Sequence, residues 1–256
     1  MRIVIKIGTS TLTHKTGELN IRRTEEICRI ISDIKNSGAE IIIVSSGAIG
    51  MGAAKLSLSE RPKDIATKQA AAAVGQCELM YRYDKLFAEY HHTVAQILLT
   101  GSDFQSEDRH RNFSNTISRL LELNVIPVIN ENDTIATEEI KVGDNDTLSA
   151  LVSVSVSADL LILLSDIDGL FTADPHKDPN AKLIREIKEI NDDVLALAGD
   201  SSSNLGTGGM KTKLHAAQIC MDGSCDMVIA NGANPKILYD IVSDASPDCT
   251  RFISRK

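Results

Sequence analysis

The chain is expected to fold as an α/β protein, a three-layer αβα sandwich around a mainly parallel central sheet. Three observations predict this. Short apolar runs rich in β-branched residues recur along the sequence, they lack the apolar–polar alternation of a sheet with one wet face, and helical patterns lie between them. Strands covered on both faces and linked through helices become parallel neighbours by right-handed crossovers.

Ile3-Val4-Ile5 opens the chain as a strand, and Ile27, Ile30, Ile31 and Ile34 then mark one helix face, ended by Gly38 in C-cap position. Ile41 to Val44 reads as the second strand. An Ala-rich segment from Asp64 to about Tyr90 reads as a helix, or as a pair broken near Gly75. The strand Val94 to Leu99 precedes a helix marked by Phe113, Ile117, Leu120 and Leu121. Val125 to Ile129 follows as a strand, with a helix through Leu148, Leu151 and Val152. Leu160 to Leu164 is the next strand. A helix begun near Gly209 runs through Leu214, Ala217 and Ile219, and Met227-Val228-Ile229 is the last strand predicted. Residues 101–116 and 166–182 are polar excursions of a length usual for functional covers or hairpins. With no linker, repeat or low-complexity tract, 1–256 reads as one domain with two ligand-facing lobes, about 1–151 and 152–256.

Composition narrows the function. Lys and Arg number 27 against 35 Asp and Glu, a net charge of −8 without a basic block, which argues against a nucleic-acid surface. Trp is absent and aromatics are 4%, so base-stacking platforms are not expected. An anionic substrate must be held by local donors, because the overall field repels it. No apolar run reaches the ~18 residues of a membrane span. Met1-Arg2 leads straight into the first strand, too short a lead for a signal peptide, so the expectation is a cytoplasmic protein. Five cysteines form neither an even framework nor a CxxC pair and read as reduced core residues. The six histidines lack HxxxH spacing, and no metal site is expected.

Chemistry concentrates where the strands stop. In open α/β sheets ligands sit beyond the carboxyl ends of the strands, so these segments are expected to form one composite site. Lys6-Ile7-Gly8 is either an edge lysine before a turn, or an ammonium in an apolar strand that needs a partner. On the second reading Gly8 lets a phosphate approach the backbone. Ser45 to Gly52 contains Gly50-x-Gly52, but Lys55 replaces the third glycine of a dinucleotide fingerprint. A helix-capping loop and a carboxylate cradle built from Ser46 and backbone N–H groups both remain open.

Asn130-Glu131-Asn132-Asp133 is a polar turn, or a set suited to an amino acid's ammonium and carboxylate. Capping explains one acid of Gly143-Asp144-Asn145-Asp146. The other is free to orient two lysines toward a shared phosphoryl group. Ser165-Asp166 ends another strand. Gly206 to Lys213 is glycine-rich at a helix start, a ready anion site although not a Walker A loop, or else a flexible loop with solvated lysines.

The stretches IVIKIGTSTLT, VSSGAIGMG, PVINENDTIA, VGDNDTLSA, LLSDIDGLFTADP and GTGGMKTKLHAA occur in one order over almost the whole chain. Together they resemble the glutamate 5-kinase branch of the amino acid kinase family. The resemblance implies the amino acid kinase fold, with ATP-dependent phosphorylation of the γ-carboxylate of L-glutamate to L-glutamyl 5-phosphate, first step of proline biosynthesis. ATP would come with Mg2+ carried by the nucleotide. Lys6, Asp146 and Lys213 are then the catalytic set, Asp146 organising the two lysines. Ser46, Gly47, Asn130, Asp133, Asp144 and Asn145 are the substrate-binding set, in the N-terminal lobe. Lys6, Gly8, Ser165, Asp166, Thr207, Gly208, Gly209, Met210, Lys211, Thr212 and Lys213 are the nucleotide-binding set.

The resemblance also implies proline as a feedback inhibitor and a homo-oligomer of two or four chains. Many members append a C-terminal RNA-binding-like (PUA) domain, which this sequence is read as lacking. Another enzyme of the family, such as acetylglutamate kinase, and a non-catalytic amino-acid or nucleotide sensor are the alternatives. A γ-carboxylate has a pKa of roughly 4.3 and is ionised at neutral pH, so the expected reaction needs no general base.

Overall fold

The apolar runs pair into one sheet. In a computed structural model, which describes residues 1–14, 18–60, 62–136, 142, 144–175, 177–198 and 209–255, β1 (Arg2–Ile7) lies between β2 (Glu40–Ser45) and β5 (Leu160–Ser165), parallel to both. Outside β2 come β4 (Ile126–Glu131) and then β3 (Val94–Leu99); outside β5 comes β7 (Asp226–Asn231), all parallel. Beyond β7, β8 (Thr250–Phe252) runs antiparallel to it and pairs with β6 (Glu186–Ile187), giving the order β3-β4-β2-β1-β5-β7-β8-β6. Register is fixed along the centre, with Lys6 opposite Val44 on one side and Leu163 on the other.

Two apolar layers cover the sheet. On one face Ile3, Ile5 and Ile7 meet Ile27, Ile30, Ile31 and Ile34 of α2 (Ile21–Asn36), Leu79, Tyr83 and Phe87 of α4 (Ile65–Ala88), and Leu238 of α10 (Ile237–Val242). Leu12 of α1 (Thr9–Leu12) and Met51 of α3 (Ala48–Lys55) join that layer. On the other face Val4 meets Phe113, Ile117 and Leu121 of α6 (Glu107–Glu122), Leu148 and Val152 of α7 (Asn145–Ser155), and Leu214 and Ala217 of α9 (Met210–Asp222). Each such side chain contributes about 1.5–3 kcal/mol when fully buried. Strand alternation puts Lys6 on the Val4 face, toward α7 and α9.

The Ala-rich segment forms one unbroken helix, α4, and Gly75 is a packing contact rather than a break. A Cβ on Gly75 would lie 1.7 Å from the Ala48 carbonyl oxygen, and one on Gly52 1.7 Å from that of Ala71, so α3 and α4 cross nearly backbone to backbone. The Gly50-x-Gly52 pattern thus serves a helix crossing at its second glycine. Gly52→Ala is expected to destabilise by about 1–3 kcal/mol or more through overpacking. A Cβ on Gly50 would meet no neighbouring element within 4 Å, and its replacement by Ala should be neutral or gain up to about 1 kcal/mol of helix propensity. Urea melts of the two variants test this; equal midpoints would contradict the crossing.

Residues 101–116 are not a loop. They form α5 (Gly101–Gln105) and the first part of α6. Thr100 caps α5 with Asp103 in a reciprocal pair, and α6 buries only Phe113, Ile117 and Leu121, so a polar sequence is the solvent face of a helix. The second excursion, 166–182, is mostly irregular and closes through the bridge Phe171 to Leu183. The short β6, β8 and α8 (Asp192–Leu197) carry too few residues for a periodic signal. All five cysteines are free thiols; four are buried, but Cys77 is exposed on α4 rather than in the core.

Candidate active site

Chain direction creates the crevice. The connection from β1 runs to β2 on one side and the connection from β5 runs toward β7 on the other, so the loops diverge at the carboxyl ends of two adjacent central strands. Lys6 sits near the end of β1 and Ser165 ends β5. Because β1 has partners on both sides, Lys6 is not an edge lysine.

Asp144 caps α7, accepting hydrogen bonds from the Thr147 N–H at 2.8 Å and the Thr147 hydroxyl at 2.9 Å. That cap leaves Asp146 in the first turn, where a carboxylate is favoured by the positive end of the helix dipole. Asp146 is only 2% exposed. The Lys6 ammonium lies 2.7 Å from its Oδ1 and the Lys213 ammonium 3.0 Å from its Oδ2. The two side chains, from residues 207 positions apart in the sequence (213 − 6), are themselves 12% and 8% exposed. Thr212 Oγ1 lies 3.1 Å from Asp146 Oδ2 and 2.8 Å from the Gly209 carbonyl oxygen, so its single proton is shared between two acceptors at the junction of α9 and α7. Burial pushes the Asp146 carboxyl up, but the Lys6 and Lys213 charges and hydrogen bonds outweigh it and hold the group down at about 2. A carboxylate that weakly basic is ionised throughout the neutral range.

A second group converges beside the first. Asn145 Nδ2 lies 2.7 Å from Ser46 Oγ, 3.0 Å from the Ser45 carbonyl and 3.1 Å from Asn130 Oδ1, so it is the junction of β2, β4 and α7. Gly47 precedes α3 with φ of 100°, a left-handed conformation in which a side chain would be strained. Asp133 lies in the turn after β4, in a crevice lined also by Ala48, Ala72, Gln76 and Asn132.

The remaining expected residues that the structure describes lie at the ends of β1 and β5 and at the start of α9. A Cβ on Gly8 would lie 3.3 Å from the Lys6 ammonium nitrogen, so the glycine keeps space open beneath it. Ser165 donates to the exposed Asp166 at 3.1 Å. Gly209 caps α9, Met210 packs against the apolar cluster, and Lys211 is exposed on the first turn. Thr207 and Gly208 lie outside the described residues, as does Gly143.

Gln76 was not legible in the motifs, whereas Glu131 stood in the motif Asn130-Glu131-Asn132-Asp133 without a role of its own. Gln76, buried on α4, accepts a hydrogen bond from Asn130 Nδ2 at 3.0 Å, and Glu131, buried at the end of β4, accepts from the Val142 N–H at 2.6 Å. The one signal for Gln76 is an amide in an Ala-rich helix, next to a glycine.

A family model, the amino acid kinase family, matches residues 1–231. The chain belongs to the amino acid kinase family. Within that family it is 49% identical over 259 residues to "Glutamate 5-kinase" of Clostridium perfringens, covering 100% of this chain and 96% of the relative. It is 54% identical over 242 residues to "Glutamate 5-kinase" of Clostridium acetobutylicum, covering 94% and 91%. Against the Caldanaerobacter subterraneus protein of the same name, 53% identical, 95% of this chain is matched and 65% of the relative's length. Solved structures of the same fold include T. acidophilum isopentenyl phosphate kinase (TM-score 0.68, 16% identity, 98% and 100% covered). Another is carbamate kinase from Giardia lamblia bound to AMP-PNP (TM-score 0.68, 16% identity, 99% and 98% covered). Family membership therefore accounts for the three layers and the mainly parallel sheet. Among the described residues no helix is long and apolar enough to cross a membrane.

Proposed function

We propose that this chain is a glutamate 5-kinase, transferring the γ-phosphoryl group of ATP to the γ-carboxylate of L-glutamate to give L-glutamyl 5-phosphate and ADP, the first step of proline biosynthesis. The observation that carries the reading is the convergence of Lys6 and Lys213 on one buried carboxylate at the divergent strand ends. The near-full-length identity to proteins of that name narrows the acceptor to glutamate.

The substrate carboxylate is already ionised and attacks the γ-phosphorus. The bond from that phosphorus to the β–γ bridging oxygen breaks, and ADP leaves with the electron pair. The protein's part is alignment and neutralisation of charge on the equatorial phosphoryl oxygens. Lys6 and Lys213 supply two of those charges. Asp146, too weak a base to take a proton, holds them apart at a set spacing. Ser165, Asp166 and the segment 207–213 are assigned to the nucleotide side, in a C-terminal lobe of about 152–256, and Gly8 joins that side from the end of β1 in the N-terminal lobe. Ser46, Gly47, Asn130, Asp133, Asp144 and Asn145 form the amino-acid side, in a lobe of about 1–151. Among the described residues no group of three or more His, Cys, Asp or Glu is placed to hold a metal ion. Mg2+ carried by the nucleotide's own phosphates would supply further charge neutralisation there.

Proline shares the α-carboxylate and α-nitrogen of glutamate and is assigned to the same side as a feedback inhibitor. Assembly into dimers or tetramers and a cytoplasmic location complete the proposal.

A coupled ADP-release assay over acidic amino acids is the direct test. Glutamate-dependent release, inhibited by proline and absent with N-acetylglutamate, is expected; preference for N-acetylglutamate would reject the assignment. Asp133→Ala should raise the KM for glutamate at least about tenfold and leave that for ATP nearly unchanged, the pattern of a lost ground-state contact to one substrate. Equal changes in both would remove Asp133 from the amino-acid side.

A further inference from the structure

Gln76 belongs to none of the strand-end motifs, yet it is bonded to one of them. It follows Gly75, whose contact with Ala48 sets the height of α4 against the loop carrying Ser46 and Gly47. It is 6% exposed and lines the crevice with Ala48, Ala72, Asn132 and Asp133. Its Oε1 accepts from Asn130 Nδ2 at 3.0 Å, while its Nε2 donates to the exposed Gln96 at 3.4 Å.

Asn130 is buried and has both ends of its amide engaged. Its Oδ1 accepts from the Glu131 N–H at 2.9 Å and from Asn145 Nδ2 at 3.1 Å. Turning that amide over would set NH₂ against two donors and a lone pair against Gln76 Oε1. Asn145 Nδ2 is likewise committed, to Ser45, Ser46 and Asn130. Its Oδ1 accepts no hydrogen bond from the described residues and is left as an acceptor beside Ser46 and Asn130.

We propose that Gln76 is a positioning residue for the amino-acid substrate: through Asn130 it holds Asn145 with Oδ1 available to the substrate's ammonium group. This rests on the reading of glutamate as acceptor. The chain of amides is directional, each carbonyl oxygen receiving the next amide's N–H. Removing the Gln76 acceptor strands a buried Asn130 donor, and the strain relaxes along the bonded pair Asn130 and Asn145.

The test is Gln76→Met, which keeps volume but removes the acceptor, with Gln76→Leu as a second apolar variant. Either should raise the KM for glutamate about tenfold or more, with the KM for ATP and kcat within about twofold. In an Asn130→Ala background the same substitution should change the glutamate KM by less than about twofold, because the link it breaks is already gone. An unchanged glutamate KM in a folded variant, equal rises for both substrates, or additive effects with Asn130→Ala would overturn the role. Wild-type protein without glutamate-dependent ADP release would instead overturn the acceptor assignment, and this inference with it.

Discussion

Lys213→Ala lowers kcat by about 10²-fold or more, the scale set by loss of one preorganised donor aimed at a developing anion. The size follows from where the ammonium sits. It is held at the first turn of α9, 8% exposed, with its direction set by Asp146 Oδ2 at 3.0 Å. A charge kept out of water acts on the transferring phosphoryl group with little screening and no reorganisation. Alanine leaves Asp146 with one lysine instead of two, so the remaining Lys6 is drawn toward a carboxylate it formerly shared. The KM values for glutamate and ATP should move far less than kcat, because the charge matters most when the phosphoryl group is in transit. Lys213→Arg should not restore the rate, since a planar guanidinium cannot occupy the place of a compact ammonium. Near-normal turnover in Lys213→Ala, measured by ADP release at saturating substrates, would remove Lys213 from the clamp.

Asp146→Asn should cost both activity and stability. The native carboxylate is shared by two ammonium groups, and removing it leaves two neighbouring cations in a mostly buried place. Breaking a buried ion pair in this way typically costs about 3–5 kcal/mol. The effect has a pH signature. The folded pKa of Asp146, about 2, lies below its usual 3.8, so its ionised form stabilises the fold fully above about pH 4. That contribution is lost as the pH falls through about 2. Wild type and Asp146→Asn should therefore differ most at neutral pH, and the gap should narrow by about 2 kcal/mol between pH 4 and pH 2. Chemical melts across that range test it, and a gap independent of pH would show that Asp146 is not the shared anion.

Much of this was readable from residues alone, for identifiable reasons. An ammonium in the run Ile3 to Ile7 demands a buried counter-charge, and the helix start at Asp144 to Asp146 offers one acid more than capping uses. Capping takes Asp144, which leaves Asp146 for the lysines. The central strands were legible because burial on both faces removes alternation. Where burial is slight the pattern fades: α6 presents a three-residue stripe in a polar sequence and read as a loop in its first half. Gly75 was ambiguous between a break and a contact because only the partner helix, more than twenty positions earlier in sequence, decides which it is. Gln76 was invisible for the same reason. Its meaning lies in Asn130, 54 positions away and reached only when α4 lies down on the sheet.

The place of β1 has a consequence for synthesis. It is the first strand made, but Ile3 pairs with Leu160, so at about 5–20 residues per second the nascent chain carries an unsatisfied apolar border for roughly 8–30 seconds. Lys6 stands near the carboxyl end of that border, and a charge on an exposed strand edge discourages another chain from docking onto it.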